Sequence, residues 1–156
     1  MKIDRQEIYS SVLDFLEFLE NENSNSSIES LEIALDKLAM ISHFVGDNSD
    51  DEKEYPESSN RDYSRWREVV GRRFPSLGFY NIPRTISENV GAAELHTGDA
   101  IDDLADIANE LSEFIWRWKN NSENNALWHF RFSYESHWGS HLRSLQMYLH
   151  ALGNEG

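Results

Sequence analysis

The sequence predicts an all-α protein, a single bundle of about five helices, from three observations. Apolar residues recur at three- and four-residue spacing through most of the chain, as they do in helices with one buried face. The breaks between these stretches are short polar runs such as NENSNSS and NNSENN, which is turn chemistry. One longer stretch, at about 75–98, carries Pro75, Gly78, Pro83, Gly91 and Gly98 and reads as an ordered irregular connection. A short helical turn fits between Thr85 and Leu95. With 156 residues, the chain suits one domain, 1–156, with its own core.

The first helix is expected at 3–19, where Ile8, Val12, Phe15, Leu16 and Leu19 share a face. Ser26 and Glu29 form a Ser-x-x-Glu capping box that opens the second. That helix carries Leu31, Leu35, Leu38 and Ile41 and stops at Gly46, giving an antiparallel hairpin with the first. Residues 47–60 are acidic and nearly devoid of core residues, so a surface loop is expected there. The third helix spans 61–74, burying Trp66, Val69 or Val70, and Phe74 before Pro75 ends it. Thr97 or Asp99 caps the fourth, which runs to about Lys119 on a seam of Ile101, Leu104, Ala108, Leu111, Ile115 and Trp118.

The last stretch, 124–152, is rich in aromatics and poor in charge. Leu127, Phe130, Tyr134, Trp138, Leu142 and Leu145 fall on one face, and small serines occupy the other. So few charges on a long helix predict that it is the central one, packed on two sides.

Composition narrows the function. Without cysteine, disulfides, thiolate metal sites and a cysteine nucleophile are excluded. No apolar run approaches membrane-spanning length and no leader pattern opens the chain, so the expectation is a cytoplasmic protein with no membrane role. The formal charge of −14 opposes nucleic acid.

The blocks GDAIDDLADIANEL and LWHFRFSYESHWGSHL, with RWREVVGRRFPSLGFYN as a third, resemble an uncharacterised bacterial family. It is a domain of unknown function, numbered five-zero-six-three in that series. The resemblance covers roughly 61–152. It implies an all-helical fold and no known activity, substrate or cofactor.

Four constellations carry possible chemistry. Asp99, Asp102, Asp103 and Asp106 have the i, i+3, i+4, i+7 spacing with which helical acids bind magnesium in some phosphohydrolases. They also lie opposite the apolar seam, near a helix N-terminus, where a solvated face is the simpler reading. His137 and His141 are one turn apart and could hold one metal, but Trp138 stands where a metalloprotease has glutamate. Further ligands would come from Glu135, or from Asp102 and Asp106 if the helices cross suitably. Arg131, Glu135 and His141 interrupt an apolar face, which points to a buried paired network or a ligand pocket. Finally, Arg61, Arg65, Arg67, Arg72, Arg73 and Arg84 cluster within an acidic chain. They either neutralise its acidic helices or bind an anion, with Arg72 and Arg73 the marked pair.

The expectation ranked first is a non-catalytic module that binds a protein partner through Asp102, Asp103 and Asp106 or through Arg72 and Arg73, with Arg131 a further binding candidate and no cofactor. Second is a metal-dependent hydrolase using Asp102, Asp106, Glu135, His137 and His141, the one reading that needs a divalent metal. Third is an anion or nucleotide binder on the arginines. The ranking leans away from an enzyme, because no phosphate loop, complete metalloprotease motif or nucleophile elbow is present.

Overall fold

A computed structural model describes residues 2–46, 54–56, 58 and 61–155. Most of the expected loop at 47–60 lies outside these. Helix α1 (Arg5–Glu20) starts where Asp4 accepts a hydrogen bond from the Glu7 amide, and buries the five apolar residues its period marks. Helix α2 (Ile28–Ser42) packs beside it, burying Leu31, Leu35, Leu38 and Ile41. Its cap is Ser27, not Ser26, with the Ser30 amide as donor at 3.1 Å. The two serines are adjacent, and the cap falls to the one whose extended backbone aims Oγ at the third helical amide.

Helix α3 (Tyr63–Arg73) is capped by Asp62 and buries Trp66, Val69 and Val70. Arg73, in its last turn, is 6% exposed and turned inward. Its guanidinium donates to the backbone oxygens of Phe18, Leu19 and Ser24. The first two belong to the last turn of α1, whose carbonyls have no partner within their own helix, so one side chain ties two helices together.

The connection at 75–98 is ordered, and strand β1 (Phe79–Pro83) pairs antiparallel with strand β2 (Leu95–Asp99). The helical turn expected between Thr85 and Leu95 is absent; those residues form bends and turns at the tip of this hairpin. Tyr80 lies opposite Gly98 in the register. A Cβ at position 98 would come within 2.6 Å of the Tyr80 ring, so glycine there lets Tyr80 lie across the strand and stack on Tyr148, centroids 4.7 Å apart.

Helix α4 (Ala100–Asn120) follows directly, capped by Asp99. Helix α5 (Glu123–Ser133), a π-helical segment (Tyr134–Trp138) and helix α6 (Gly139–Asn154) then run on as one continuous helix. The central helix is α4 rather than this last one. It packs on α1, α3, α5 and α6, and nearly every residue of 103–115 is buried, acids included. Low charge on the C-terminal helix marks a good partner for the centre; the centre itself carries the acids, because each has a countercharge on a neighbour.

Candidate metal centre

The fourth helix holds Asp99, Asp102, Asp103, Asp106, Glu110 and Glu113 along one side. They do not form the expected solvated face. Asp103 is 3%, Glu110 8% and Glu113 6% exposed. Burying a carboxylate costs several kcal/mol unless a partner is supplied, and two neighbours supply partners. From the α3 side, Arg67 reaches Asp99 at 3.0 Å and Asp102 at 3.7 Å. Tyr63 donates its hydroxyl to Asp102, and Arg61 meets Glu110 at 3.1 Å and Glu113 at 3.5 Å. From the other side come His129 on α5, His137 in the π segment and His141 on α6. The acids thus lie in a row with arginines on one side and histidines on the other.

Asp106 sits in the middle of that row. Its Oδ2 lies 3.7 Å from His137 Nε2 and 3.6 Å from His141 Nε2, beyond hydrogen-bonding range. Each imidazole has its other nitrogen beside a second carboxylate: His141 Nδ1 meets Asp103 at 2.7 Å, and His137 Nδ1 lies 3.4 Å from Glu110. Tyr80, reaching down from β1, donates its hydroxyl to the same Asp103. Burial raises the Asp106 pKa and the neighbouring Asp102 adds to it, while His141 and His137 pull the other way. Asp103 raises the His141 pKa against the effect of burial.

A second cluster lies deeper. Glu110, Glu113 and His129 bring one ligand-type atom each together, all from buried residues. His129 Nε2 is 3.1 Å from Glu110 and 2.8 Å from Glu113, yet it makes no hydrogen bond of good geometry, and neither does Glu110 Oε2. Burial works against the Glu110 carboxylate, but His129 and Arg61 outweigh it and hold its pKa at about 2. Here Arg61 and Arg117 set two guanidiniums against two carboxylates. No surplus of negative charge remains to draw in a divalent ion, so this cluster is a structural knot between α4 and α5.

The sequence pattern names Asp106, His137 and His141, and the fold brings these three together. Asp102 stands one turn away, tied to Tyr63 and Arg67. Glu135 does not join them. It pairs with Arg131 at 2.6 Å, as i, i+4 spacing suggests, but the pair is 55% and 33% exposed rather than largely buried. Arg131 also donates to the Val45 carbonyl. Arg72 and Arg73 are engaged differently: Arg72 pairs with Glu68 in solvent, whereas Arg73 donates to three backbone carbonyls. Asp103 cannot serve as part of a surface docking row.

His129 escapes a reading by helical period, because the π segment changes the register between it and His137. Eight residues separate His129 from His137, about 80° of rotation in a regular α-helix. A π turn takes in one extra residue and sets later side chains back by up to about 100°. The three histidines therefore share the side facing α4. Gly139 is the residue that permits this: its amide donates to the Tyr134 carbonyl, and a Cβ there would come within 2.5 Å of that oxygen.

The model of a family described as a domain of unknown function, DUF5063, matches residues 4–155, thus including the first two helices. Protein BF1032 from Bacteroides fragilis, known from a crystal structure, is similar in fold. It shares 19% identity and superposes with a TM-score of 0.76, covering 97% of this chain and 92% of that one. No curated protein matches the chain.

Proposed function

The chain belongs to the DUF5063 family, and we propose that it is a metal-dependent hydrolase whose divalent ion is held by Asp106 Oδ2, His137 Nε2 and His141 Nε2. One observation carries this reading. Two imidazole nitrogens converge on one carboxylate oxygen at 3.6 and 3.7 Å, while carboxylates stand behind both rings. Ligands bonded at about 2.0–2.2 Å to one ion stand roughly 3–3.5 Å apart, so a small inward adjustment completes the set. A carboxylate behind a ligating histidine fixes its tautomer and aim, and Asp103 and Glu110 are placed to do so.

Nitrogen and oxygen donors without thiolate suit zinc, manganese or iron. Three protein ligands leave positions open, the pattern of catalytic rather than structural sites. The partial exposure of His137 and His141, 40% and 26%, leaves room for a substrate. A bound ion would supply Lewis acidity and lower the pKa of a water molecule. In hydrolysis the water oxygen bonds to the electrophilic centre and the bond to the leaving group breaks. Asp102, one turn from Asp106 and 41% exposed, would be the base that takes the proton of that water and returns it to the leaving group.

The test is metal content after chelation and reloading with zinc or manganese, followed by an ester-hydrolysis assay. One equivalent is expected, lost in Asp106→Asn and in His141→Gln, with turnover that follows metal content. Binding that survives both variants would remove the site, and stoichiometric metal without turnover would remove the hydrolase.

A further inference from the structure

The β-hairpin has a free edge beside the last helix, and we infer that a second copy of this chain pairs there, strand β1 against strand β1, about a two-fold axis at Asn81. Two hydrogen bonds fix which backbone groups are in use. The Arg84 amide donates to the Glu94 carbonyl at 2.8 Å, and the Ala100 amide to the Gly78 carbonyl at 3.1 Å. Bonding alternates along an antiparallel pair, so Tyr80 and Ile82 turn their amides and carbonyls to β2, while Phe79, Asn81 and Pro83 turn their backbone groups away. Among the described residues, nothing bonds to the outward groups of Phe79 and Asn81. This edge opens on a groove lined by all five residues of β1 and by none of β2, with α6 from Arg143 to Glu155 as its other side. Those twelve steps of helix span about 18 Å, and a five-residue strand spans about 17 Å. The groove matches one strand in length.

An open edge invites pairing with another chain, and proteins that stay apart blunt it with charge. Here the surroundings are apolar. Phe79, Ile86 and Met147 line the groove and are 74%, 83% and 71% exposed, and among the described residues only Arg143 and Glu155 bring charge to it. Across the axis Asn81 meets its own copy and exchanges both main-chain bonds, and the Phe79 amide reaches the copy's Pro83 carbonyl. Pro83 has no amide to offer, so the pairing stops at that end. Charge selects the occupant. Arg143 and Glu155 stand at opposite ends of the helical wall, and a two-fold reversal brings Arg143 of each copy toward Glu155 of the other. Every such contact then occurs twice, as in any isologous interface. None of the acid-rich residues 1–60 lines the groove, so repulsion between two acidic chains is not concentrated there.

Sedimentation velocity on the full chain, stripped of metal by a chelator, tests this over roughly 1–100 μM, the range suited to a small interface. A monomer–dimer equilibrium is expected there. Asn81→Pro removes an outward amide and no bond to β2, so it should weaken the dimer roughly tenfold or more while the circular dichroism spectrum is kept. Thr97→Pro makes the same change on the outer edge of β2 and should leave the dimer at wild-type strength. Met147→Glu, at an exposed position, sets a carboxylate into the apolar contact and should also weaken the dimer roughly tenfold or more. A dimer that survives Asn81→Pro or Met147→Glu lies on another face and would overturn the inference, as would a loss in Thr97→Pro equal to that in Asn81→Pro. A chain that stays monomeric throughout overturns it too, and leaves the groove to an extended segment of another protein.

Discussion

His141 keeps its two ring nitrogens in different company, Nδ1 against Asp103 at 2.7 Å and Nε2 toward Asp106 at 3.6 Å. If zinc binds at the proposed site, Asp103 is expected to act on it through the histidine, and Asp103→Asn should lower zinc affinity by about 10–100-fold. Competition with a chromophoric chelator measures this; unchanged affinity would show that the contact does not orient the ring. Arg73 and Arg131 offer a second contrast between residues of one type. Arg73 is buried on three carbonyl oxygens, so Arg73→Met should cost about 3 kcal/mol by leaving those acceptors unmatched. Arg131 sits in a half-exposed pair, and Arg131→Ala should cost no more than about 1 kcal/mol. Urea unfolding of the two variants decides whether burial, rather than charge, sets the difference.

Between elements, the long C-terminal helix meets α4 through its π segment. Gly139→Ala places a methyl group against the Tyr134 carbonyl that closes the π turn. The expected loss is about 1–3 kcal/mol in denaturant unfolding, together with weakened zinc binding as His141 changes its aim. Full stability and full zinc affinity in this variant would show that the turn has slack. The α4–α5 contact should also respond to pH in metal-free protein. Burial disfavours the Glu113 carboxylate, but His129 outweighs it and lowers the pKa below its usual 4.5. Burial likewise works against the charged imidazole, but Glu110 and Glu113 raise the His129 pKa above 6.5. The lowered acid contributes stability that is present above about 4.5 and lost as pH falls through its folded value. The raised base contributes stability that is complete below about 6.5 and lost as pH rises through its own. This contact should therefore be strongest between those limits, and His129→Gln should flatten the alkaline limb of a stability–pH curve.

Across the whole molecule, most of the charge of −14 lies in residues 1–60, which hold 15 acids against four lysines and arginines; the acids of α4 are instead answered by cations on α3 and the C-terminal helix. Among the described residues no helix is long and apolar enough to cross a membrane. A divalent ion held only by the folded state stabilises it by mass action. At a hundredfold excess over Kd this is about 2.7 kcal/mol, a rise in Tm of roughly 5–10 °C for a chain of this size. Thermal unfolding with and without zinc should show that rise in wild type and none in Asp106→Asn. A rise of equal size in both would place the ion elsewhere.

Helices were legible in the residues themselves because helical order is local. Ile8 to Leu19 and Leu104 to Ile115 announce their buried faces by spacing alone, and Asp99 marks a start by chemistry that acts within one turn. The His137 and His141 pair stood out by its spacing, as did Asp106 within its acidic row. Partnership did not. Whether Asp103 or Glu113 faces water depends on Tyr80, His141, His129 and Arg61, residues distant in sequence from one or both, and an isolated helix pattern shows only that they oppose an apolar seam. A hairpin placing Tyr80 over Asp103 and a π turn bringing His129 into line were likewise set by packing. An apolar face is specified by the free energy of leaving water, which each residue carries with it. A buried charge is specified only by what the rest of the chain places beside it.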